Sequence, residues 1–390
     1  MQDRIPLSLV IPTLDSGGAE QHLLQILPLL QSSQFELRLH VLRGGGRLLA
    51  AFKARGVPLI VCTGFAARLQ AIRLLLINVY SRRPIVHCFL PESYVLGGIL
   101  GLVFGAHAVV VSRRSRNYYL ADHPVVAWIE RRLHRRVSML LANSRPVVQD
   151  LLDEGAPPSR VRLLYNGVDV NRFHVGAERL FIRQTLRSSL SLSADSIVLV
   201  CVANLFPYKG HADLLKALSL IPLNSDIPIE LLLVGRDVGL RLPLQDLARD
   251  LSLNPHVHFL GERDDIPDLL AASDISVLAS HQEGFSNAVL ESMAAALPMV
   301  VTDVGGNAEA VIHGESGFVV PPRDPVSLAK AISVLLADAN LCKTMGDAGR
   351  RRVVASFSLE ASVAAYASLY QEVWDRAMTK RVPSMIPWQT

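Results

Sequence analysis

Residues 275–296 read ISVLASHQEGFSNAVLESMAAA. The first four are a short apolar, β-branched run of strand character. A polar loop follows, containing Gly284, and then a stretch of helix formers through Ala296 that Ser286 or Asn287 can cap. Strand, loop and helix in that order form one unit of a parallel sheet whose crossovers are helices.

The same unit repeats in both directions. Upstream, strands are expected at 8–11, 38–42, 59–62, 85–89, 108–111, 139–142 and 161–164, then at 197–202, 229–234 and 257–260. Downstream, 299–302 and 317–319 continue the scheme. Alternation of this kind predicts doubly wound parallel sheets. With 390 residues the chain exceeds one ordinary core, so two domains are expected. Between about 166 and 196 the pattern breaks into a turn and a helical piece, which sets the predicted domains at 1–188 and 189–358. A last amphipathic stretch, 359–377, has apolar positions at Val363, Tyr366, Leu369, Tyr370, Val373 and Trp374. It predicts a helix with no strand after it, of the kind that packs back on the first domain.

Composition limits the function classes. Half of the residues are apolar and 19% are charged, a globular balance. Residues 94–111 come nearest to a membrane span, but Gly97, Gly98, Gly101 and Gly105 interrupt them and their end turns β-branched. They read better as a small-faced helix followed by a buried strand. The N-terminus shows no basic region, apolar stretch and cleavage site in succession, and the four cysteines form no C-x-x-C pair. A cytoplasmic protein is the expectation. The net charge of +4 hides an asymmetry: residues 1–190 hold 24 Lys and Arg against 12 Asp and Glu, residues 191–390 hold 15 against 23. Arg82-Arg83, Arg113-Arg114-x-Arg116 and Arg131-Arg132-x-x-Arg135-Arg136 lie near apolar stretches without interleaved aromatics. That pairing suits an anionic membrane surface better than nucleic acid.

Ligands of open α/β sheets bind beyond the carboxyl ends of the strands. Five loops there carry candidate chemistry. Gly17 and Gly18 precede an apolar-faced helix whose free N–H groups suit a phosphate, though the same pair also serves as a plain tight turn. Asn204 and Lys209 follow the 197–202 strand, where a cation can neutralise a leaving diphosphate. Gly235 and Gly261 end two further strands. Finally, Glu283-Gly284-Phe285-Ser286-Asn287-Ala288-Val289-Leu290-Glu291 sets two carboxylates around a helix start. Carboxylates accept hydrogen bonds from paired sugar hydroxyls, and N–H groups from Phe285 to Ala288 can meet phosphate oxygens. By spacing alone, Glu283 and Glu291 read equally as a loop acid and a surface helix residue. Neither G-x-G-x-x-G nor a Walker loop is present, which disfavours nicotinamide oxidoreductases and ATPases.

E-G-F-S-N-A-V-L-E resembles the E-x7-E motif of the family 4 retaining glycosyltransferases of GT-B fold. Gly17-Gly18-Ala19-Glu20, Tyr165-Asn166-Gly167-Val168-Asp169, Lys209-Gly210, Leu233-Val234-Gly235 and Val301-Thr302-Asp303-Val304-Gly305-Gly306 resemble that family in its order. The resemblance implies two facing Rossmann-like domains with the ligand cleft between them. It implies that Glu283 binds donor-sugar hydroxyls, Glu291 the ribose hydroxyls, and Lys209 the diphosphate of a nucleotide sugar. It further implies a retaining hexosyl transfer with no metal or other cofactor, in which the leaving diphosphate assists the acceptor hydroxyl. Set beside the basic first half, it points to a lipid-linked or polysaccharide acceptor of the cell envelope, met by a peripheral protein on the inner face of the cytoplasmic membrane. Two positions depart from the pattern. Asn204 stands where many members have an arginine, and Ser112-Arg113-Arg114-Ser115 where many have a histidine. Arg113 or Arg114 then either supplies a cleft cation or belongs to the basic surface. A silent nucleotide-sugar-binding protein and a nucleotide-sugar epimerase of the same fold stay open as alternatives.

Overall fold

The computed structural model describes residues 4–15, 17–31, 34–64, 66–116, 122–222 and 228–379. The chain divides into two compact units, Met1–Asn166 with Glu360–Thr390, and Gly167–Leu359.

The first unit holds a seven-stranded parallel sheet of strands β1 (Ile5–Ile11), β2 (Phe35–Val41), β3 (Leu59–Val61), β4 (Ile85–Phe89), β5 (Ala108–Arg113), β6 (Met139–Ala142) and β7 (Val161–Leu163). Their order is β3-β2-β1-β4-β5-β6-β7, so the winding reverses between β1 and β4. The second unit holds a six-stranded sheet of β8 (Ile197–Val202), β9 (Ile229–Val234), β10 (Val257–Gly261), β11 (Ile275–Leu278), β12 (Met299–Thr302) and β13 (Gly317–Val320). Its order, β10-β9-β8-β11-β12-β13, reverses between β8 and β11. Central strands carry apolar residues on both faces because helices cover both, and Leu9, Val10, Leu199 and Val200 are fully buried.

The segment nearest to a span is helix Pro91–Val103 followed by β5. Gly97 lies against the Cys88 sulfur and Gly101 against Val109, so glycine lets this helix approach β4 and β5 closely. No single helix among the described residues is long and apolar enough to cross a membrane.

The division falls earlier than the 188 boundary read from the sequence. Helix Gly176–Ser189 belongs to the second unit because its arginines dock there. Arg179, Arg183 and Arg187, one turn apart, donate to the carbonyls of Ala271, Ala272 and Ser273 at the C-terminus of helix Ile266–Ala272. Arg183 and Arg187 also pair with Asp274 at 2.7 Å. Cations there meet the negative end of the helix dipole. Helix Leu359–Thr379 starts at the end of the second unit and runs through the first. Its Tyr370 hydroxyl lies 2.7 Å from His87 Nδ1 on β4, and its Trp374 ring stacks on His107 at 3.8 Å.

Candidate functional site

The carboxyl ends of β8 and β11, where the second sheet reverses, gather the acid and the base singled out in the sequence. The chain leaving β8 makes a short helical turn at Pro207–Lys209, and the Lys209 ammonium reaches Glu283 Oε1 at 2.6 Å. The Ser280 hydroxyl, just past β11, donates to the same oxygen at 2.7 Å. Burial disfavours the Lys209 charge, but the adjacent carboxylate more than offsets this and holds the ammonium above the ordinary lysine value. Lys209 is therefore a fixed cation, 18% exposed, beside a carboxylate 9% exposed.

Backbone contacts fix the two loops. Gly210 has φ +69° and lies so near the Ala279 carbonyl that a side chain there would collide with it. His281 N–H donates to the Tyr208 carbonyl at 2.7 Å, and His281 Nε2 pairs with Asp213 at 2.7 Å. From the other side Gly306 N–H donates to the Gly284 carbonyl at 2.7 Å, while Gly305, at φ +54°, abuts the Glu283 carbonyl. The Val304-Gly305-Gly306 motif thus holds the peptide on which Glu283 stands. Phe285 is buried against Phe357, ring centroids 5.3 Å apart, so its side chain anchors the loop.

Helix Asn287–Ala294 begins directly after. Ser286 occupies the N-cap position, yet its hydroxyl makes no capping bond. The first-turn N–H of Ala288 has no acceptor within the helix, and the positive end of the helix dipole points the same way. Glu291 lies one turn further on. Burial pushes its carboxyl up to about 7, and Arg172, from the turn that follows Asn166-Gly167-Val168-Asp169, pulls the other way. Lys209, Glu283, Gly284, Ser286, Asn287, Ala288 and Glu291 thus share one end of one sheet, as do Asn204, Gly235 and Gly261. Asn204 Oδ1 accepts from Arg236 N–H at 2.9 Å, and Gly235 N–H donates to the Gly261 carbonyl at 2.8 Å.

Gly17, Gly18, Arg113 and Arg114 lie in the first unit. Gly17 is the N-cap of helix Gly18–Leu30. The two arginines separate sharply. Arg113 is buried and bonded to Glu130 at 2.7 Å and to Glu154 at 2.6 Å. Its charge is consumed inside the domain, which corrects its reading as an available cleft cation. Arg114, half-buried, donates to the Tyr366 hydroxyl at 3.2 Å and to Asn166 Oδ1 at 2.5 Å. No carboxylate is bonded to it among the described residues. Glu130, His134 and Glu154 have the spacing of a metal site, but the Arg113 guanidinium already occupies their carboxylates.

Ser280, Arg172 and Arg236 were not singled out in the sequence. A serine ending a strand and two arginines among 24 and 15 basic residues in the respective halves carry no distinguishing signal. The weak available cue is that Ser280 and Arg236 each fall within two residues of a strand's carboxyl end.

Comparison with known proteins follows the same division. The model of the glycosyl transferases group 1 matches residues 182–352, and that of glycosyltransferase family 4 matches residues 16–172. The N-acetyl-alpha-D-glucosaminyl L-malate synthase of Bacillus anthracis is 26% identical over 327 residues, 83% of this chain and 81% of that protein. The UDP-Gal:alpha-D-GlcNAc-diphosphoundecaprenol alpha-1,3-galactosyltransferase of Escherichia coli is 25% identical over 367 residues, 91% and 93% of the two chains. The crystal structure of HepE from Anabaena in complex with UDP-glucose superposes with a TM-score of 0.83 at 22% identity, over 95% of this chain and 100% of that one. That likeness is one of fold, the GT-B arrangement of two parallel-sheet α/β domains.

Proposed function

Because the chain belongs to the family 4 glycosyltransferases, we propose that it moves a hexosyl unit, with retention at the anomeric carbon, from a nucleoside diphosphate sugar to a lipid-linked or polysaccharide acceptor of the cell envelope. The observation that carries this is the Lys209–Glu283 pair at the switch point, one helix start away from Glu291. The galactosyltransferase likeness supports a lipid-linked acceptor.

Each group has a task in this reading. Glu291 accepts hydrogen bonds from the ribose hydroxyls. The Lys209 ammonium and the N–H groups at the start of helix Asn287–Ala294 balance the diphosphate, so the reading calls for no metal. Glu283 accepts from sugar hydroxyls, and its second bond, from Ser280, fixes its rotamer. As the anomeric bond to the diphosphate breaks, a diphosphate oxygen takes the proton of the acceptor hydroxyl arriving on the same face. Lys209 is worth most at that moment, when negative charge grows on the leaving group.

The reading includes a peripheral site of action at the membrane. Helix Ala67–Arg82 exposes Leu69, Ile77 and Tyr80 along one stripe, with Arg73 among them. Trp128, 57% exposed, carries the Arg132 guanidinium over its ring at 4.1 Å. Apolar side chains framed by arginines suit the headgroup region of an anionic bilayer.

The test is release of nucleoside diphosphate from a panel of nucleotide sugars, with and without lipid extract. Acceptor-dependent release that disappears in Glu283→Ala supports transfer. Release unchanged in that variant refutes the site, and conversion of the sugar without any acceptor favours the epimerase reading. Binding to anionic vesicles that weakens with salt supports the membrane component, and salt-independent binding refutes its electrostatic basis.

A further inference from the structure

Resting on the donor-site reading above, the question left open is the second cation. Asn204 stands where similar proteins carry an arginine, and it brings no charge. The structure shows what Asn204 does instead. Its Oδ1 accepts the backbone N–H of Arg236 at 2.9 Å, and Leu205 N–H donates to the Arg236 carbonyl at 2.9 Å. Two bonds therefore hold the backbone of Arg236 against the exit of β8. The sheet enforces the same proximity, since β8 and β9 pair with Val202 opposite Val234 at their carboxyl ends. Gly235 tightens it further by lying against the Ala203 carbonyl, where a side chain would not fit.

The side chain of Arg236 is uncommitted. It makes no ion pair or hydrogen bond to a described residue, and its Nε is buried without an acceptor. Neighbouring arginines are committed: Arg263 pairs with Asp265, and Arg241 donates to the Phe259 carbonyl. Asp237, the next residue and the nearest acid in sequence, turns its carboxylate onto the N–H groups of Gly239, Leu240 and Arg241. A buried donor with no acceptor in the protein needs an explanation, and a bound ligand supplies one. Its place is the carboxyl end of β9, beside the loop that carries Lys209.

We propose that Arg236 is the second cation of the donor site: it takes over from the next strand the diphosphate contact that an arginine at 204 supplies elsewhere, and Asn204 positions it. The planar guanidinium can meet two phosphate oxygens at once, which the lysine ammonium cannot. The exchange needs both changes together, because an arginine at 204 would lose the amide oxygen that holds the 236 backbone.

The experiment is calorimetric titration of the full chain with UDP, GDP and ADP, and with the matching nucleosides. For the base that binds, Arg236→Gln is expected to weaken the diphosphate about tenfold and leave the nucleoside unchanged. Arg236→Lys should fall between, keeping charge without the fork. Asn204→Arg placed in the Arg236→Gln background should recover most of the loss, a rescue that a merely structural arginine would not give. Diphosphate affinity within twofold of wild type in Arg236→Gln overturns the assignment while leaving the donor site standing. An equal loss for nucleoside and diphosphate overturns it as well, by showing a folding role. If the wild type binds none of the three diphosphates, the donor-site reading itself fails and the proposal with it.

Discussion

Replacing Glu283 by glutamine separates the two jobs given to the Lys209–Glu283 pair. Glutamine keeps an oxygen for Ser280 and Lys209 but removes the charge 2.6 Å from the ammonium. At an effective dielectric of about 20, the attraction at that distance is on the order of 6 kcal/mol before desolvation. Burial of both groups and their partial solvent access take back the larger part, so the net cost to folding is roughly 2 kcal/mol. For a domain of this size that lowers Tm by about 4–8 °C, readable by calorimetry. Function should split. The ammonium, released from its carboxylate, is free for an anion, and the ligand no longer meets a nearby negative charge. Nucleoside diphosphate binding should then tighten by a factor approaching ten, about 1.4 kcal/mol. Transfer should fall by roughly 10²–10³, because glutamine is a weaker acceptor for the sugar hydroxyls in the transition state. Titration with the diphosphate alone, beside initial rates with the nucleotide sugar, gives both numbers. Diphosphate affinity falling in parallel with the rate would refute the reasoning, since it would reduce Glu283 to a prop for the loop.

Other outcomes follow from the same geometry. Glu291 has its carboxyl pushed up to about 7 by burial, so in the ligand-free protein it is mostly protonated below that pH. Nucleotide binding through its ionised form should weaken by up to about tenfold per unit as pH falls below 7, and titrations of Glu291→Gln should show no such slope. The same shift acts on stability with a stated sign: the folded carboxyl binds more protons than the unfolded one between about 4.5 and 7, so stability falls as pH rises through that window, an effect that Glu291→Gln removes in denaturant midpoints. Gly210→Ala, at φ +69° against the Ala279 carbonyl, should cost at least roughly 2 kcal/mol in chemical unfolding, whereas Gly239→Ala, at φ +100° in open space, should cost about 1. Arg113→Met strands the buried Glu130 carboxylate and the partly buried Glu154 carboxylate and should cost about 3–5 kcal/mol at neutral pH, with part recovered in acid, as thermal melts across pH would show.

The strands were legible because parallel strands covered on both faces must be apolar throughout, and short runs such as Ile197–Val202 stand out against amphipathic helices. The domain boundary was less legible. Helix Gly176–Ser189 is assigned by where Arg179, Arg183 and Arg187 dock, and nothing in an arginine at helical spacing names its acceptor carbonyls. The candidate acids and the lysine were found through motif order, since Glu283 and Glu291 alone were bland. Their surroundings escaped: Ser280 meets Glu283 through strand geometry, and Arg236 comes to the same end of the sheet because β9 neighbours β8. Arg113 shows the opposite failure. Its place at the end of β5 fits a ligand contact, but two acids distant in sequence, Glu130 and Glu154, fold onto it.

The central claim is that a nucleotide sugar is held in the second unit by Lys209 and Glu291. Its most direct measurement is titration of the chain, and of a Lys209→Met/Glu291→Gln double variant, with a panel of UDP-, GDP- and ADP-sugars. Micromolar binding of at least one of them by the wild type, reduced at least a hundredfold in the double variant with the fold intact, is the result predicted. Binding of that same sugar nucleotide by the folded double variant with unchanged affinity would contradict the account.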